Sequence, residues 1–160
     1  MAIVLQTVLE TLEDELNAIS IANGYRTDLD PVTADGAGAQ LMLAGMTRYG
    51  VGQVGIDINI EAGGYRDTAT HELGTEEETA LVLALWRRLL PSSAATLGAV
   101  LALKADVEQA LAETTLGGTV PGVDFVSWRF VPDPEIALLL IAIRVRVYRD
   151  HDDPESGTPI

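Results

Sequence analysis

The fold of this chain is decided by the stretch Val54-Gly55-Ile56-Asp57-Ile58-Asn59-Ile60-Glu61. A large aliphatic residue occupies every second position, and glycine or a polar residue occupies each position between. Successive side chains of a β-strand point to opposite faces of a sheet, so a period of two indicates a strand. The stretch therefore predicts a strand with one buried face and one solvated face.

Helices are predicted in three places. Leucine and isoleucine recur at helical spacing between residues 5 and 19, with acidic residues on the other side, which predicts a helix from about 2 to 22. Thr75-Glu76-Glu77-Glu78 matches a capping box and predicts a second helix, ended by Pro91. One of the two serines that follow this proline is expected to cap a third helix, to about Thr114.

Further strands are predicted between and after these helices, joined by loops rich in glycine and proline. They cover residues 25–29, 40–49, 123–131 and 136–148. The order of helix, strands, two helices and strands predicts a single α+β domain over residues 1–149, with a mainly antiparallel sheet flanked by helices. Residues 62–74 are expected to form a long exposed loop, and residues 150–160 a flexible acidic C-terminal tail.

The composition excludes several classes of function. The chain has 160 residues, with 10 Lys plus Arg against 24 Asp plus Glu and a formal net charge of -14. DNA affinity comes largely from cations that displace counterions at phosphates, so a conventional DNA-binding protein is excluded. The absence of cysteine excludes disulfides and thiolate chemistry. No apolar run has the length of a membrane span, so no membrane partner is expected, and no signal peptide is visible.

Residues that carry catalysis or bind cofactors are sparse, and we expect no enzyme, no cofactor and no metal site. The two histidines, His71 and His151, fall in a predicted loop and in the predicted tail. The glycines of residues 50–55 fit Gly-x-Gly-x-x-Gly, but they lead into a strand. The helix N-terminus that binds pyrophosphate in that motif is therefore missing, and a tight turn is expected instead.

Charged residues on the predicted strands each allow two interpretations. Asp57, Glu61 and Asp124 either form an acidic outer face of the sheet or meet across it as a carboxylate pair for acid–base chemistry. Arg144 and Arg146 lie on one face of the last strand, among apolar residues. Within one chain they cover the sheet edge with their stems or pair with Asp57 and Glu61 of a neighbouring strand; alternatively they bind acids of a neighbouring subunit.

Three features, in a fixed order, are shared with a known family. They are the exit of the first helix at Ala22-Asn23-Gly24-Tyr25-Arg26-Thr27-Asp28, the predicted acid-capped helix in mid-chain, and the closing strand Ile141-Ala142-Ile143-Arg144-Val145-Arg146-Val147-Tyr148. Together they resemble the tail terminator, or tail completion, proteins of long-tailed bacteriophages. The resemblance implies a small α+β domain that forms a homo-oligomeric ring, expected to be a hexamer, on top of the tail tube. Such a ring halts tube growth and offers a joining surface to the head or neck.

The same resemblance implies a virion protein at the head-proximal end of the tail, assembled in the host cytoplasm. Its partners are then other copies of itself, the tail tube protein and a neck or head-completion protein. DNA passes through without specific binding, which suits an acidic channel. The candidate subunit-interface residues are Arg144, Arg146, Tyr65 and Arg66.

Two other kinds of function compete with this one. The first is another head–tail connector, such as a neck or stopper component, or a tail-tube-related protein. The second is a small enzyme or ligand-binding domain that lacks a familiar motif.

Overall fold

Two helices and five strands make up the described part of the chain. The computed structural model describes residues 4–29, 54–65, 74–112, 114, 122–150 and 157–159. In chain order the elements are α1 (Val4–Asn17), a 3-10 turn (Ile21–Asn23), β1 (Val54–Tyr65), β2 (Gly74–Arg88), α2 (Ser93–Leu111), β3 (Val123–Val131), β4 (Ile136–Asp150) and β5 (Gly157–Pro159).

The strands form one antiparallel sheet in the order β1-β2-β4-β3. β5 pairs with β4 at Val147–Arg149, beyond the last β4 residue that pairs with β3. β2 and β4 therefore lie in the centre of the sheet, while β1 and β3 are its outer strands. The predicted α+β class with a mainly antiparallel sheet is confirmed.

Both helices pack on one face of the sheet, which we call the helix-covered face. The strand residues directed to it alternate with a period of two, as Ile56 and Ile58 do on β1. The buried aliphatic core of this face comprises Val8, Leu12, Leu16, Ile19, Val54, Ile56, Ile58, Leu81, Leu83, Leu85, Val100, Leu103, Val107, Leu111, Val123, Leu139, Ile141, Ile143, Val145 and Val147. Full burial of each such side chain stabilises the fold by about 1.5–3 kcal/mol.

The prediction of a helix from Thr75 to Pro91 is wrong, because these residues form β2. Leu81, Leu83 and Leu85 are buried on the helix-covered face, and Trp86 is buried on the opposite face. A strand buried on both faces has a nearly continuous apolar run, which hides its period of two. The glutamates after Thr75 resemble a helix cap in sequence, but they lie in the first half of this strand.

The start of the chain also differs from its prediction. α1 ends at Asn17, and a separate 3-10 turn follows, in which the Ser20 side chain accepts a hydrogen bond from the Asn23 backbone N–H. Gly24 ends this turn at φ 89°, in the left-handed region that glycine tolerates. Residues 25–29 do not form the predicted strand. They run as an irregular segment beside α2.

Other predictions differ in their boundaries. Residues 62–65, predicted as loop, continue β1, and Gly74 begins β2. Gly157–Pro159 form β5 where a flexible tail was expected. The strand predicted at 40–49 and the turn at 50–52 lie outside the described residues. The third predicted helix is confirmed as α2, with Ser92 as its N-cap.

A buried carboxylate attaches the irregular segment to α2. Asp106 is fully buried, and both of its carboxylate oxygens accept hydrogen bonds from the Arg26 backbone N–H at 3.1 Å. The Arg26 guanidinium donates a further hydrogen bond at 3.2 Å. A buried charge is tolerated only where it is paired and hydrogen-bonded. Asp106 therefore fixes the path of the chain after Gly24.

A close approach between β1 and β2 explains Gly55. This glycine lies directly opposite Trp86 in the β1–β2 register. A Cβ atom added to it would lie 2.6 Å from Cζ2 of the indole ring. The bare backbone of Gly55 thus provides the space that Trp86 fills, so packing accounts for one glycine of the Gly-x-Gly-x-x-Gly match.

We predict that Gly55→Ala destabilises the protein by about 1–3 kcal/mol, the usual cost of overpacking, because the indole must move. Gly98→Ala is the matched control, since Gly98 lies in α2 with open space around it. Alanine stabilises a helix interior relative to glycine by about 0.5–1 kcal/mol. Urea unfolding of both variants measures the two effects. Equal and small changes would contradict the packing role of Gly55.

We predict that Asp106→Ala destabilises the protein by about 2–3 kcal/mol, because the Arg26 backbone N–H and guanidinium lose a buried, charged acceptor. Asp28→Ala is the control, since the Asp28 carboxylate accepts one exposed hydrogen bond from the Ile21 N–H. Its loss should cost clearly less, because water replaces the acceptor. Thermal unfolding monitored by circular dichroism compares the two. An Asp106 variant as stable as the Asp28 variant would show that the buried carboxylate does not hold this segment.

Candidate functional site

β3 is an outer strand that carries large apolar side chains into solvent. Phe125, Val126, Trp128 and Phe130 are 42%, 48%, 51% and 44% exposed. No described strand lies beside its outer edge. An exposed apolar edge strand offers unpaired backbone groups and apolar surface to another chain.

A β-bulge at Val126 places the three aromatic residues of β3 on one face. Phe125 lies opposite Ile143, and after the bulge Trp128 and Phe130 lie opposite Ile141 and Leu139. These three β4 residues all belong to the core of the helix-covered face. Without the extra residue, the aromatic side chains on the two sides of position 126 would point to opposite faces.

The neighbouring stripe of α2 extends this apolar surface. Leu97 and Leu101 are exposed, at 47% and 39%. Leu97 and Phe130 line one cleft beside β3, and Phe125 and Trp128 line a second cleft together with Lys104. We call the set formed by Phe125, Val126, Trp128, Phe130, Leu97 and Leu101 the aromatic edge.

Trp128 is held in place from two sides. Lys104, the only lysine in the chain, places its Nζ 4.8 Å from the centre of the Trp128 ring and forms an ion pair with Glu108 one turn further along α2. Phe130 meets the same ring edge to face, with 5.8 Å between centroids. Both arrangements are favourable geometries for an aromatic ring. They limit the rotamers of an exposed side chain before any partner binds, which lowers the entropy lost on binding.

The face of the sheet opposite the helices carries two arginines on β4, the central strand that neighbours β3. Arg144 pairs with Glu78 at 3.1 Å, and Arg146 pairs with Asp124 at 2.7 Å. These arginines pair with acids of the neighbouring strands, but the predicted partners Asp57 and Glu61 are wrong. The strand order gives the reason, because β2 separates β1 from β4.

The guanidinium groups of these arginines are partly exposed and therefore accessible to another molecule. The side chains of Arg144 and Arg146 are 46% and 33% exposed. Arg129 of β3 is exposed as well and has no ion pair within the described part of the chain. A contact of Arg144 and Arg146 with a neighbouring subunit stays a prediction.

Tyr65 lies at the opposite side of the sheet, on β1, and is 73% exposed. Ile60 of the same strand is 58% exposed, and both line a cleft that reaches Leu5 of α1. Glu61 forms a bulge between them, and Tyr65 pairs with Glu77 of β2. We call the set formed by Ile60, Glu61, Tyr65, Glu76 and Glu77 the β1 corner. Arg66, the fourth predicted interface residue, lies outside the described residues.

The alternative carboxylate site is not assembled. Asp57 and Asp124 lie on opposite outer strands, with β2 and β4 between them. Three strand spacings separate them by about 14 Å, too far for acid–base cooperation. Glu61 is on β1 as well. Within the described residues no group of three or more His, Asp or Glu side chains could hold a metal ion. His71 and His151 fall outside those residues.

Sequence reasoning missed the aromatic edge, although a signal was present. The predicted strand 123–131 has aromatic residues at 125, 128 and 130, and the interval of three breaks a strict alternation. In a strand such a break indicates a bulge, and bulges are frequent in outer strands.

Comparison with models of known protein families and with curated protein sequences found no match for this chain. In the described ranges, neither helix has the length and apolar character needed to cross a membrane.

We predict that Lys104 and Trp128 are energetically coupled by about 0.5–1 kcal/mol, as expected for a cation above an exposed ring. A double-mutant cycle with Lys104→Met and Trp128→Leu measures this coupling in urea unfolding. Lys104→Arg is the control, because it keeps the cation above the ring and should retain most of the stability. A coupling energy of zero would mean that Lys104 does not hold the ring.

Proposed function

We propose that this chain is a structural virion protein that assembles into a ring, caps the tail tube and ends its growth. The ring then provides the joining surface for the head or neck. The place in the tail is taken from the resemblance to tail terminator proteins, and the site supports the self-assembly that this function requires.

The observation that carries the proposal is the aromatic edge. Phe125, Trp128 and Phe130 are exposed on an outer strand and aligned on one face. Exposed clusters of aromatic side chains of this kind are typical of protein–protein interfaces. The opposite outer strand, β1, carries a different surface. Two unlike surfaces on opposite sides of a subunit suit head-to-tail contacts, which close into rings.

The charge of the chain is consistent with a DNA conduit. A net charge of -14 leaves acidic surface available to line a channel. Such a lining repels phosphates and lets DNA slide without being held. The tail tube protein and a neck or head-completion protein then bind the two open faces of the ring.

Two experiments test the proposal. Native mass spectrometry of the purified protein should give one closed oligomer, expected to be a hexamer. Electron microscopy of particles that lack the protein should show overlong tails. Tails of normal length on unjoined heads would indicate a neck or stopper component instead. A protein that stays monomeric at every concentration would overturn both assignments.

We predict that Arg144→Glu with Arg146→Glu leaves the domain folded but raises the concentration needed for assembly by on the order of tenfold or more. The native ion pairs are partly exposed, so their loss should change the free energy of unfolding by no more than about 1 kcal/mol each. Analytical ultracentrifugation measures assembly, and urea unfolding measures stability.

Glu78→Gln with Asp124→Asn is the control for this pair of substitutions. It breaks the same two ion pairs but leaves both arginines free to bind a neighbour, so assembly should be retained. Assembly of the glutamate variant at the wild-type concentration would mean that the two arginines only cover the sheet.

A further inference from the structure

We propose that the aromatic edge of one copy binds the β1 corner of the next copy, with β3 and β1 placed side by side. This inference rests on the proposed self-assembly and names the two surfaces that perform it. The occupant of the aromatic edge is thus a second copy of this chain.

The distribution of exposed apolar side chains is the first argument. In the described part of the chain, the exposed large hydrophobic residues are Ile21, Ile60, Tyr65, Leu89, Leu97, Leu101, Phe125, Val126, Trp128 and Phe130. Six of them form the aromatic edge, and Leu89 lines the cleft beside it. Two more, Ile60 and Tyr65, belong to the β1 corner. Only Ile21 lies apart from both surfaces, so the exposed apolar area is concentrated at two sites.

Charge complementarity is the second argument. Lys104 lies beside the aromatic edge on the helix-covered face, and Arg129, Arg144 and Arg146 lie on the opposite face of β3 and β4; the acids Glu78, Glu108 and Asp124 accompany these four cations. The β1 corner contains the carboxylates of Glu61, Glu76 and Glu77. On a chain with a net charge of -14, these four cations against three acids make the aromatic edge less repelled by the acidic corner of another copy than an average part of the surface.

The third argument is that the apolar side chains of the aromatic edge and of the β1 corner lie on the same face of the sheet. Ile60 pairs with Leu81, and Trp128 pairs with Ile141, and both partners belong to the core of the helix-covered face. Side-by-side placement of β1 and β3 from two copies continues the sheet. The apolar side chains of both strands then lie on the same side of the continued sheet and meet each other, while the backbone groups of the outer strands can form hydrogen bonds.

The two surfaces also lie at opposite sides of the sheet, separated by β2 and β4. One copy can therefore use both at once, each with a different neighbour. Such a contact is heterologous and repeats from copy to copy.

A mixing experiment tests this interface. The edge variant is Trp128→Glu, the corner variant combines Ile60→Lys with Tyr65→Lys, and the control is Ile21→Lys, whose side chain is 60% exposed but lies outside both surfaces. Each of the first two should stay monomeric at concentrations where the wild type and the control assemble. An equimolar mixture of the edge and corner variants should form a dimer with one copy of each and nothing larger, because one intact edge meets one intact corner.

Several results would overturn the interface. The edge variant could assemble at the wild-type concentration, or the mixture could remain monomeric. Circular dichroism checks that both variants are folded.

A second experiment needs no substitution. Acrylamide quenching of wild-type tryptophan fluorescence should fall on assembly, because Trp128 is exposed and Trp86 is only 4% exposed in the single chain. Unchanged quenching in the assembled protein would also overturn it.

The results distinguish a failure of the proposed self-assembly from a failure of this particular interface. A wild-type protein that never assembles contradicts self-assembly as a whole. Assembly of the wild type together with both variants contradicts only the pairing of these two surfaces.

Discussion

The fold depends on the burial of β2 on both of its faces. Leu81, Leu83 and Leu85 contact the core beneath the two helices, and Ala84 and Trp86 belong to a second buried cluster on the other side. β2 is central because its two edges pair with β1 and β4, and the burial of both faces in its second half accompanies this position. The position of β2 then fixes β1 on one side and β4 on the other, and Gly55 provides the space that Trp86 needs within this arrangement.

The central position of β2 and β4 determines where interaction surfaces can arise. Backbone hydrogen bonds of the central strands are used within the sheet, whereas β1 and β3 each have one edge that pairs with no other described strand. Both outer strands carry a bulge, at Glu61 and at Val126. A bulge increases the local twist and interrupts a flat edge, which limits unspecific pairing. Specific association then depends on side chains, and these differ between the two strands.

Sequence patterns predicted those elements whose spacing is regular, although residues 54–58 of β1 are buried on both faces and not on one. The period of two in β1 and β4 and the serine cap of α2 identify their elements, because each pattern depends on local spacing. β2 was predicted as a helix because burial on both faces removes the alternation, and the glutamates after Thr75 imitate a cap. The wrong partners of Arg144 and Arg146 have a different cause. Which acid an arginine meets depends on the order of the strands in the sheet. Contacts between residues distant in sequence determine that order, so local spacing does not predict the ion-pair partner.

The aromatic edge depends on the same distant contacts. While the position of their strand in the sheet is unknown, the apolar side chains of Phe125, Trp128 and Phe130 indicate core residues. They lie at the surface because β3 is the last described strand of the sheet. Their exposure conflicts with the rule that apolar surface is buried, and the net charge of -14 opposes the approach of a second copy.

The two effects act over different distances. Charge repulsion between copies is screened beyond about 8 Å at physiological ionic strength, whereas Lys104 beside Trp128 and the arginines on the opposite face act at contact. Repulsion therefore disfavours association through acidic parts of the surface, and the four cations beside the aromatic edge, set against three acids, reduce it there. A strongly acidic chain with an aromatic outer strand flanked by cations thus limits the orientations in which its copies can meet, and this restriction is what an ordered ring requires.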